Sequence, residues 1–296
     1  MRRLKSIGLV GVGLIGGSFA AALKRAGSSA RIRGFDRDAA ALERAVELGV
    51  IDEAADSPSD AARGAELVIV AVPVRAIGPV LHDVALSMSA DAVVTDVGST
   101  KQEVVREARN EMRERFARFV PAHPIAGREA SGVDAATGEL FKGARVVLTP
   151  LPETAPDAVA LVRQCWEAAG GKVATLAPEL HDRIFAAVSH LPHVLSFALV
   201  SELAARAEAP DLFAFAAGGF RDFTRIAGSS PEMWRDIALQ NRAALLEEID
   251  RYAAQLAVFR ELIARGDGGG LMRLMTEART ARHGWTGAQK RATTPE

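Results

Sequence analysis

Residues 7–16 read Ile7-Gly8-Leu9-Val10-Gly11-Val12-Gly13-Leu14-Ile15-Gly16, and Asp36 closes a second apolar run 20 residues after the last glycine. An apolar strand runs into glycines spaced G-x-G-x-x-G and out into a helix. Gly11 permits the tight turn, Gly13 lets a pyrophosphate approach the backbone, and Gly16 lets the helix lie close to the strand. The main chain from Val12 through Leu14 and Ile15 then presents N–H groups to the phosphates, helped by the helix dipole. The Asp36 carboxylate would accept hydrogen bonds from the ribose hydroxyls and repel a 2′-phosphate, which predicts NAD; Arg37 beside it keeps NADP open. A glycine turn with no ligand is the alternative, and an acid at the end of the second strand argues against it.

Outward from this turn, short apolar runs alternate with helical patterns. Strands are predicted over Leu4–Val10, Ala30–Phe35, Leu67–Val74, Ala92–Asp96, Arg118–Ala122, Arg145–Thr149 and Lys172–Leu176, with helices over Leu14–Arg25, Asp38–Leu48 and Ala155–Ala169. That order implies an α/β, Rossmann-type, doubly wound parallel sheet. The Leu67–Val74 strand closes on Ala71-Val72-Pro73-Val74. Ligands of such sheets sit beyond the carboxyl ends of the strands, so Val72 and Pro73 are expected beside the nicotinamide half of the cofactor.

The pattern changes near Pro178, beyond which almost only helical periodicity remains. Leu180–Ala207 reads as one long apolar helix kinked by Pro192, followed by Ala209–Phe220. Ser230-Pro231 is an N-cap and first-turn pair opening a helix to about Ala264, and Leu271–Arg282 is the last. The division predicted is a dinucleotide-binding domain over 1–177, an all-α substrate and dimerisation domain over 178–284, and a loose tail over 285–296. Those long helices carry more alanine and leucine than one thin layer buries alone, so a homodimer through the helical domain is expected.

Composition narrows the function classes. The 296 residues carry 36 Lys+Arg against 37 Asp+Glu, a formal net charge of -1. No basic excess points to nucleic acid and no polybasic run to a membrane surface. No apolar run approaches the ~20 residues a membrane span requires. Met1-Arg2-Arg3-Leu4-Lys5 ahead of an apolar stretch has the outline of a secretory leader, but the glycine spacing and Asp36 assign that segment to strand, turn and helix. The single cysteine, Cys165, lies in an amphipathic helical pattern and reads as a buried thiol; a cytoplasmic location is expected.

Three further segments carry chemistry. Asp96-Val97-Gly98-Ser99-Thr100-Lys101 and Ala122-His123-Pro124-Ile125-Ala126-Gly127 each follow a strand. In the helical half stand Ser189-His190-Leu191-Pro192-His193 and Gly219-Phe220-Arg221-Asp222-Phe223-Thr224-Arg225. With the Gly11 turn and Ser229-Ser230-Pro231-Glu232-Met233-Trp234, these motifs in this order resemble the prephenate and arogenate (cyclohexadienyl) dehydrogenases of tyrosine biosynthesis, over nearly the whole chain from Ile7 to about Asn241.

The resemblance implies an oxidative decarboxylation. Hydride leaves C4 of a cyclohexadiene ring for NAD, CO2 leaves C1, and the ring becomes aromatic, giving 4-hydroxyphenylpyruvate from prephenate or tyrosine from arogenate. It implies His123 as the base at the 4-hydroxyl, suited by an ordinary pKa near ~6.5. Ser99 would hydrogen-bond the same hydroxyl or His123. Thr100 and Lys101 go with that stretch as substrate-side residues; the alternative for Ser99 and Lys101 is helix-capping and solvated positions. Arg225 is implied as the carboxylate anchor. His193 would meet the pyruvyl or alanyl side chain, His190 would support that wall, and Trp234 would stack on the Arg225 guanidinium. Glu129 and Asp222 would gate the site ionically with Arg225. A keto group wants a donor, so His193 leans toward prephenate, with dual specificity equally open.

His123, His190 and His193 also suggest zinc ligands, but the reaction needs no metal and no metal is expected. His82, His181 and His283 read as surface. A β-hydroxyacid-type dehydrogenase would share the two-part layout but use a helical Lys-x-x-x-Asn pair, absent around His190. A non-catalytic dinucleotide sensor would keep the glycine turn with no reason to keep His123, Ser99 and Arg225 together.

Overall fold

A computed structural model describes residues 4–128 and 130–293, with main chain only from 287 on. The alternation predicted from the sequence is present as β1 (Ser6–Val10), α1 (Leu14–Arg25), β2 (Arg31–Phe35), α2 (Ala39–Glu47), β3 (Glu53–Ala54), α3 (Pro58–Ala62), β4 (Leu67–Val70), α4 (Ile77–Ser87), β5 (Val93–Asp96), α5 (Gln102–Met112) and β6 (Phe119–Val120). These strands form one parallel six-stranded sheet in the order β3-β2-β1-β4-β5-β6. The order reverses between β1 and β4, so a crevice opens there beyond the carboxyl ends of the strands.

Each strand divides its side chains between two cores, as a period of two requires. Ile7, Leu9, Leu67 and Ile69 join Phe19, Leu23 and Trp166 on one face. Val10, Val68 and Val70 join Ile77, Leu81 and Val104 on the other. Trp166 lies edge-on to Phe19 and Phe141, with centroids 4.5 and 5.1 Å away. Cys165 is buried and unpaired in that first core, where burial pushes its thiol up to about 12, an inert structural thiol.

One strand predicted across Arg118–Ala122 is in fact two. Pro121, which has no N–H to give a ladder, separates β6 from β7 (Ala122–Pro124). β7 leaves the main sheet for a second one, antiparallel to β8 (Arg145–Leu148), which pairs in parallel with β9 (Lys172–Thr175) beyond α6 (Pro156–Ala168). That switch of sheets carries His123 out past the end of β6.

The helical part begins with α7 (Pro178–Phe185), a π-helical turn over Ala186–His190, and α8 (Leu191–Ala204). The irregularity predicted at Pro192 takes this form: proline withholds an N–H, and the Leu191 N–H bonds five residues back to the Ala186 carbonyl. The 27 residues Pro178–Ala204 are thus one continuous helix, long and apolar enough to cross a membrane by length and composition. This corrects the reading that no such run exists. Its buried positions include His181, Asp182 and His190, each bonded to other parts of the protein, which is the layout of a helix packed on protein rather than lipid.

α9 (Ala209–Ala214) and α10 (Gly218–Thr224) replace the single helix expected over Ala209–Phe220. α11 (Pro231–Gln240) starts as Ser230-Pro231 predicts, with the Ser230 hydroxyl accepting the Met233 N–H at 3.3 Å. It stops at Asn241 instead of continuing, and α12 (Arg242–Ala264) takes over. α13 spans Gly268–Thr293, so helix continues where a loose tail is expected from residue 285. By contacts the chain divides at Leu245/Leu246, so that α7 to α11 belong with the sheet. The second unit, residues 246–296, is built from the rest of α12 and from α13.

Candidate active site

The glycine turn is shaped by backbone contact. Gly11 has φ +94°, and a Cβ there would lie 2.3 Å from the Ala71 carbonyl oxygen. A Cβ on Gly16 would lie 2.1 Å from the Gly11 carbonyl oxygen and 2.9 Å from the Ala71 side chain. Gly13 differs, with open space where its Cβ would be. It is the N-cap of α1, whose first turn has neither a side-chain cap nor an acidic residue. Uncapped N–H groups at the start of α1 beside open space are what a pyrophosphate requires, so Gly13, Leu14 and Ile15 fit the dinucleotide they predict, while the Val12 N–H expected with them is taken by Asp36. Asp36 clasps the turn: its carboxylate accepts the Val12 N–H at 3.0 Å and the Asp38 N–H at 3.1 Å. Val72 borders Gly11, bringing the β4–α4 loop against the turn.

Across the crevice the loop after β5 is tied to the start of β7. Asp96, the last residue of β5, accepts the Gly98 N–H at 2.7 Å and the Ala122 N–H at 3.0 Å. The Lys101 ammonium bonds the same carboxylate and donates to the Ala122 carbonyl at 2.7 Å. Burial pulls that ammonium below the usual lysine range, with Asp96 countering. Both its partners are acceptors, the surroundings of a charged amine.

From α7 comes a chain of imidazoles. The Asp182 carboxylate accepts the main-chain N–H groups of Lys101 at 2.8 Å and Gln102 at 2.9 Å, and His181 Nδ1 lies 2.8 Å from it. Burial alone would raise this carboxyl; the hydrogen bonds from His181, Gln102 and Lys101 outweigh it and leave the pKa below the usual range. An ionised Asp182 can only accept, so His181 carries its proton on Nδ1 and turns a lone pair on Nε2 toward His123 Nδ1, 2.8 Å away. His123 must then carry its own proton on Nδ1, which leaves Nε2 as a free acceptor. Phe185 packs on both rings, with centroids at 4.9 and 4.5 Å. Burial pushes the His123 pKa well below its ordinary value, and His181, Lys101 and His190 nearby push it further.

A second cluster flanks this one. Asn241 donates to the Asp182 carbonyl at 2.8 Å and to His190 Nδ1 at 3.0 Å, which makes His190 a donor through Nε2. Burial lowers the His190 pKa to about 4. His193 donates from Nδ1 to the Ser189 carbonyl at 2.9 Å, and its ring stacks on Trp234 with centroids 3.5 Å apart. Its pKa is also lowered, by burial first, against the Ser189 hydrogen bond and with Arg225 adding to the fall.

Two family models together span most of the chain: prephenate dehydrogenase, nucleotide-binding domain, over residues 19–175, and prephenate dehydrogenase, dimerization domain, over 177–277. The cyclohexadienyl dehydrogenase of Zymomonas mobilis is 36% identical over 95% of this chain and 96% of its own. Among solved structures, prephenate dehydrogenase of Aquifex aeolicus, in complex with hydroxyphenyl propionate and NAD+, matches with a TM-score of 0.88 and 40% identity, covering 94% of this chain and 97% of the other. Synechocystis arogenate dehydrogenase matches with a TM-score of 0.80 and 33% identity over 95% and 99%.

The chain belongs to the prephenate dehydrogenase family.

It is therefore an NAD-dependent dehydrogenase built on a nucleotide-binding half and a helical half. Within this prephenate dehydrogenase family member the predicted residues separate into groups. His123, His190, His193 and Trp234 come together. Ser99 is half-buried in the loop that Asp96 ties to Ala122, and among the described contacts its hydroxyl does not bond His123, whose Nδ1 is taken by His181. Thr100 and Lys101 face inward: Thr100 donates to Gln240 at 2.7 Å, and both are fully buried, so the substrate-side role expected of them gives way to a supporting one. Trp234 lies flat on His193, where the resemblance put it on Arg225. His193 with its proton held on Nδ1 offers an acceptor at Nε2 when neutral, which reverses the donor expected of it. Arg225 and Asp222 are exposed, Arg225 near enough to influence His193. Glu129 lies outside the described residues.

Sequence reasoning misses His181, Asp182, Asp96 and Asn241. His181 is fully buried, not a surface histidine. A signal existed, since Pro178, His181, Asp182 and Phe185 recur at the spacing of one helical face and are its buried positions.

Proposed function

We propose that this chain oxidises and decarboxylates a cyclohexadienyl acid with NAD: prephenate, arogenate or both. The observation that carries this is the Asp182–His181–His123 chain, which leaves one imidazole nitrogen as a neutral acceptor. Taking hydride from a carbinol carbon builds positive charge there, and a base at the hydroxyl lowers that barrier by accepting its proton. NAD, held by the Gly11–Gly16 turn and Asp36, supplies the hydride acceptor. His123 Nε2 takes the hydroxyl proton. The imidazolium so formed donates through Nδ1 to His181, with the Asp182 carboxylate behind it to stabilise the charge. Ser99 orients the substrate hydroxyl, and Arg225 pairs with a substrate carboxylate. His193, backed by Trp234 and His190, faces the side chain; a neutral Nε2 acceptor there suits the ammonium of arogenate. As hydride leaves C4, the bond from C1 to the carboxylate breaks, CO2 departs, its bonding pair completes the aromatic ring, and the phenolate oxygen takes its proton back from the His123 imidazolium.

The His123 pKa is depressed, so the base stays neutral at and somewhat below its ordinary value of about 6.5. Activity is expected to hold through neutral pH and to fall only as pH drops through that lowered pKa. The deciding measurement is reduced-cofactor production with prephenate and with arogenate, each offered NAD and NADP. Turnover of at least one acid with NAD is expected, and turnover of neither overturns the proposal.

We place the active form as a homodimer through its helical part, in the cytoplasm. The support is apolar surface: Val188, Phe215, Ile263 and Met272 are each more than 60% exposed. Sedimentation at assay concentration is expected to give twice the chain mass of 31.3 kDa, and a monomer would refute this assembly.

A further inference from the structure

Lys101 stands at the centre of a closed circuit. Its main-chain N–H donates to Asp182, Asp182 faces His181, and His181 faces the side chain of His123. Its side-chain ammonium meanwhile bonds Asp96 and the carbonyl of Ala122, the residue whose peptide leads into His123. Asp96 takes the N–H of the same alanine. One residue therefore grips His123 from both ends, through the imidazole chain and through the backbone. Lys101 is fully buried, as is its partner Asp96, so this is not a solvated pair.

We propose that Lys101 is a positioning residue for proton transfer: it closes the ring that fixes His123 and sets a positive charge near the acceptor imidazole. The inference rests on the reading of His123 as the base. The groups around His123 are His181 on α7 with Asp182 beyond it, His190 on the π turn, Asp96 at the end of β5, and Lys101 on the loop that follows. Of the last two, the ammonium bonds the carbonyl directly joined to the His123 nitrogen, and it is the Lys101 charge that acts on the imidazole. A positive charge there disfavours the protonated ring and keeps the acceptor available to lower pH.

The test is the acid limb of the kcat/KM profile in Lys101→Met, in Asp96→Asn/Lys101→Met, and in Lys101→Arg, alongside the unaltered enzyme. Lys101→Met leaves a buried carboxylate unpaired and is liable to misfold, while the double variant removes both charges and keeps the measurement available. Thermal unfolding and NAD affinity establish which variants are folded. In the folded neutral variants the limb is expected to move up by roughly one pH unit, with kcat lower by about ten-fold as the main-chain grip is lost. Lys101→Arg, which retains the charge, is expected to hold the limb within a few tenths of a unit. A limb that stays in place in a folded neutral variant overturns the proposal, whatever happens to kcat, because a purely structural pair would lower the rate without moving it. Failure of the functional reading looks different: the unaltered enzyme would turn over neither acid.

Discussion

The cofactor turn and the proton-transfer cluster are built in opposite ways. The turn is contiguous, β1 to β2, and made by the main chain: glycines press on carbonyl oxygens, and the one side chain that matters, Asp36, clasps the loop it follows. The cluster is assembled from the end of β5, the start of β7, α7 and Asn241, and is made by side chains bonding one another. A main-chain site tolerates many side chains but no added Cβ. A side-chain site tolerates almost any local backbone but no change in its functional groups.

The sharpest way to break this contrast is at His123. His123→Asn removes the acceptor and leaves the turn untouched, so kcat is expected to fall by roughly a hundred- to ten-thousand-fold with KM for NAD nearly unchanged. Equal losses in both would mean that the two regions are not separable.

The turn offers the converse. Gly16→Ala puts a Cβ 2.1 Å from a main-chain oxygen, so NAD affinity is expected to fall by about a hundred-fold together with the melting temperature. Gly13→Ala meets only open space, so the fold is expected to keep its melting temperature while NAD affinity drops by about ten-fold. Calorimetric titration with NAD, paired with thermal unfolding, separates the two. A Gly13→Ala protein with normal NAD affinity would remove the pyrophosphate from that space.

Asp182→Asn probes the far end of the imidazole chain. Losing the carboxylate leaves a protonated His123 with less support, so its pKa is expected to fall further and the acid limb of kcat/KM to move down, the direction opposite to that of the neutral Lys101 variants. Turnover is expected to drop by roughly ten- to a hundred-fold. A limb moving up would show that His181 and Asp182 do not act through His123.

The sequence alone determined what depends on neighbours along the chain. Gly11, Gly13, Gly16 and Asp36 lie within one strand–turn–helix–strand unit, and the geometry of that unit follows from glycine φ angles and a period of two. The Ser230-Pro231 helix start is legible for the same reason, and the separate motifs named the family. What the tertiary structure decided is where the polar side chains of distant segments meet. His181 reads as surface until α7 docks on the loop after β5, and Lys101 reads as a substrate-side or solvated residue until Asp96 and Ala122 close over it. Pro121 looks like the interior of one strand until β7 is seen to leave for a second sheet. Local propensity specifies which elements form, but burial, charge pairing and the choice of tautomer depend on groups far apart in sequence, and only the folded chain brings them within hydrogen-bond reach.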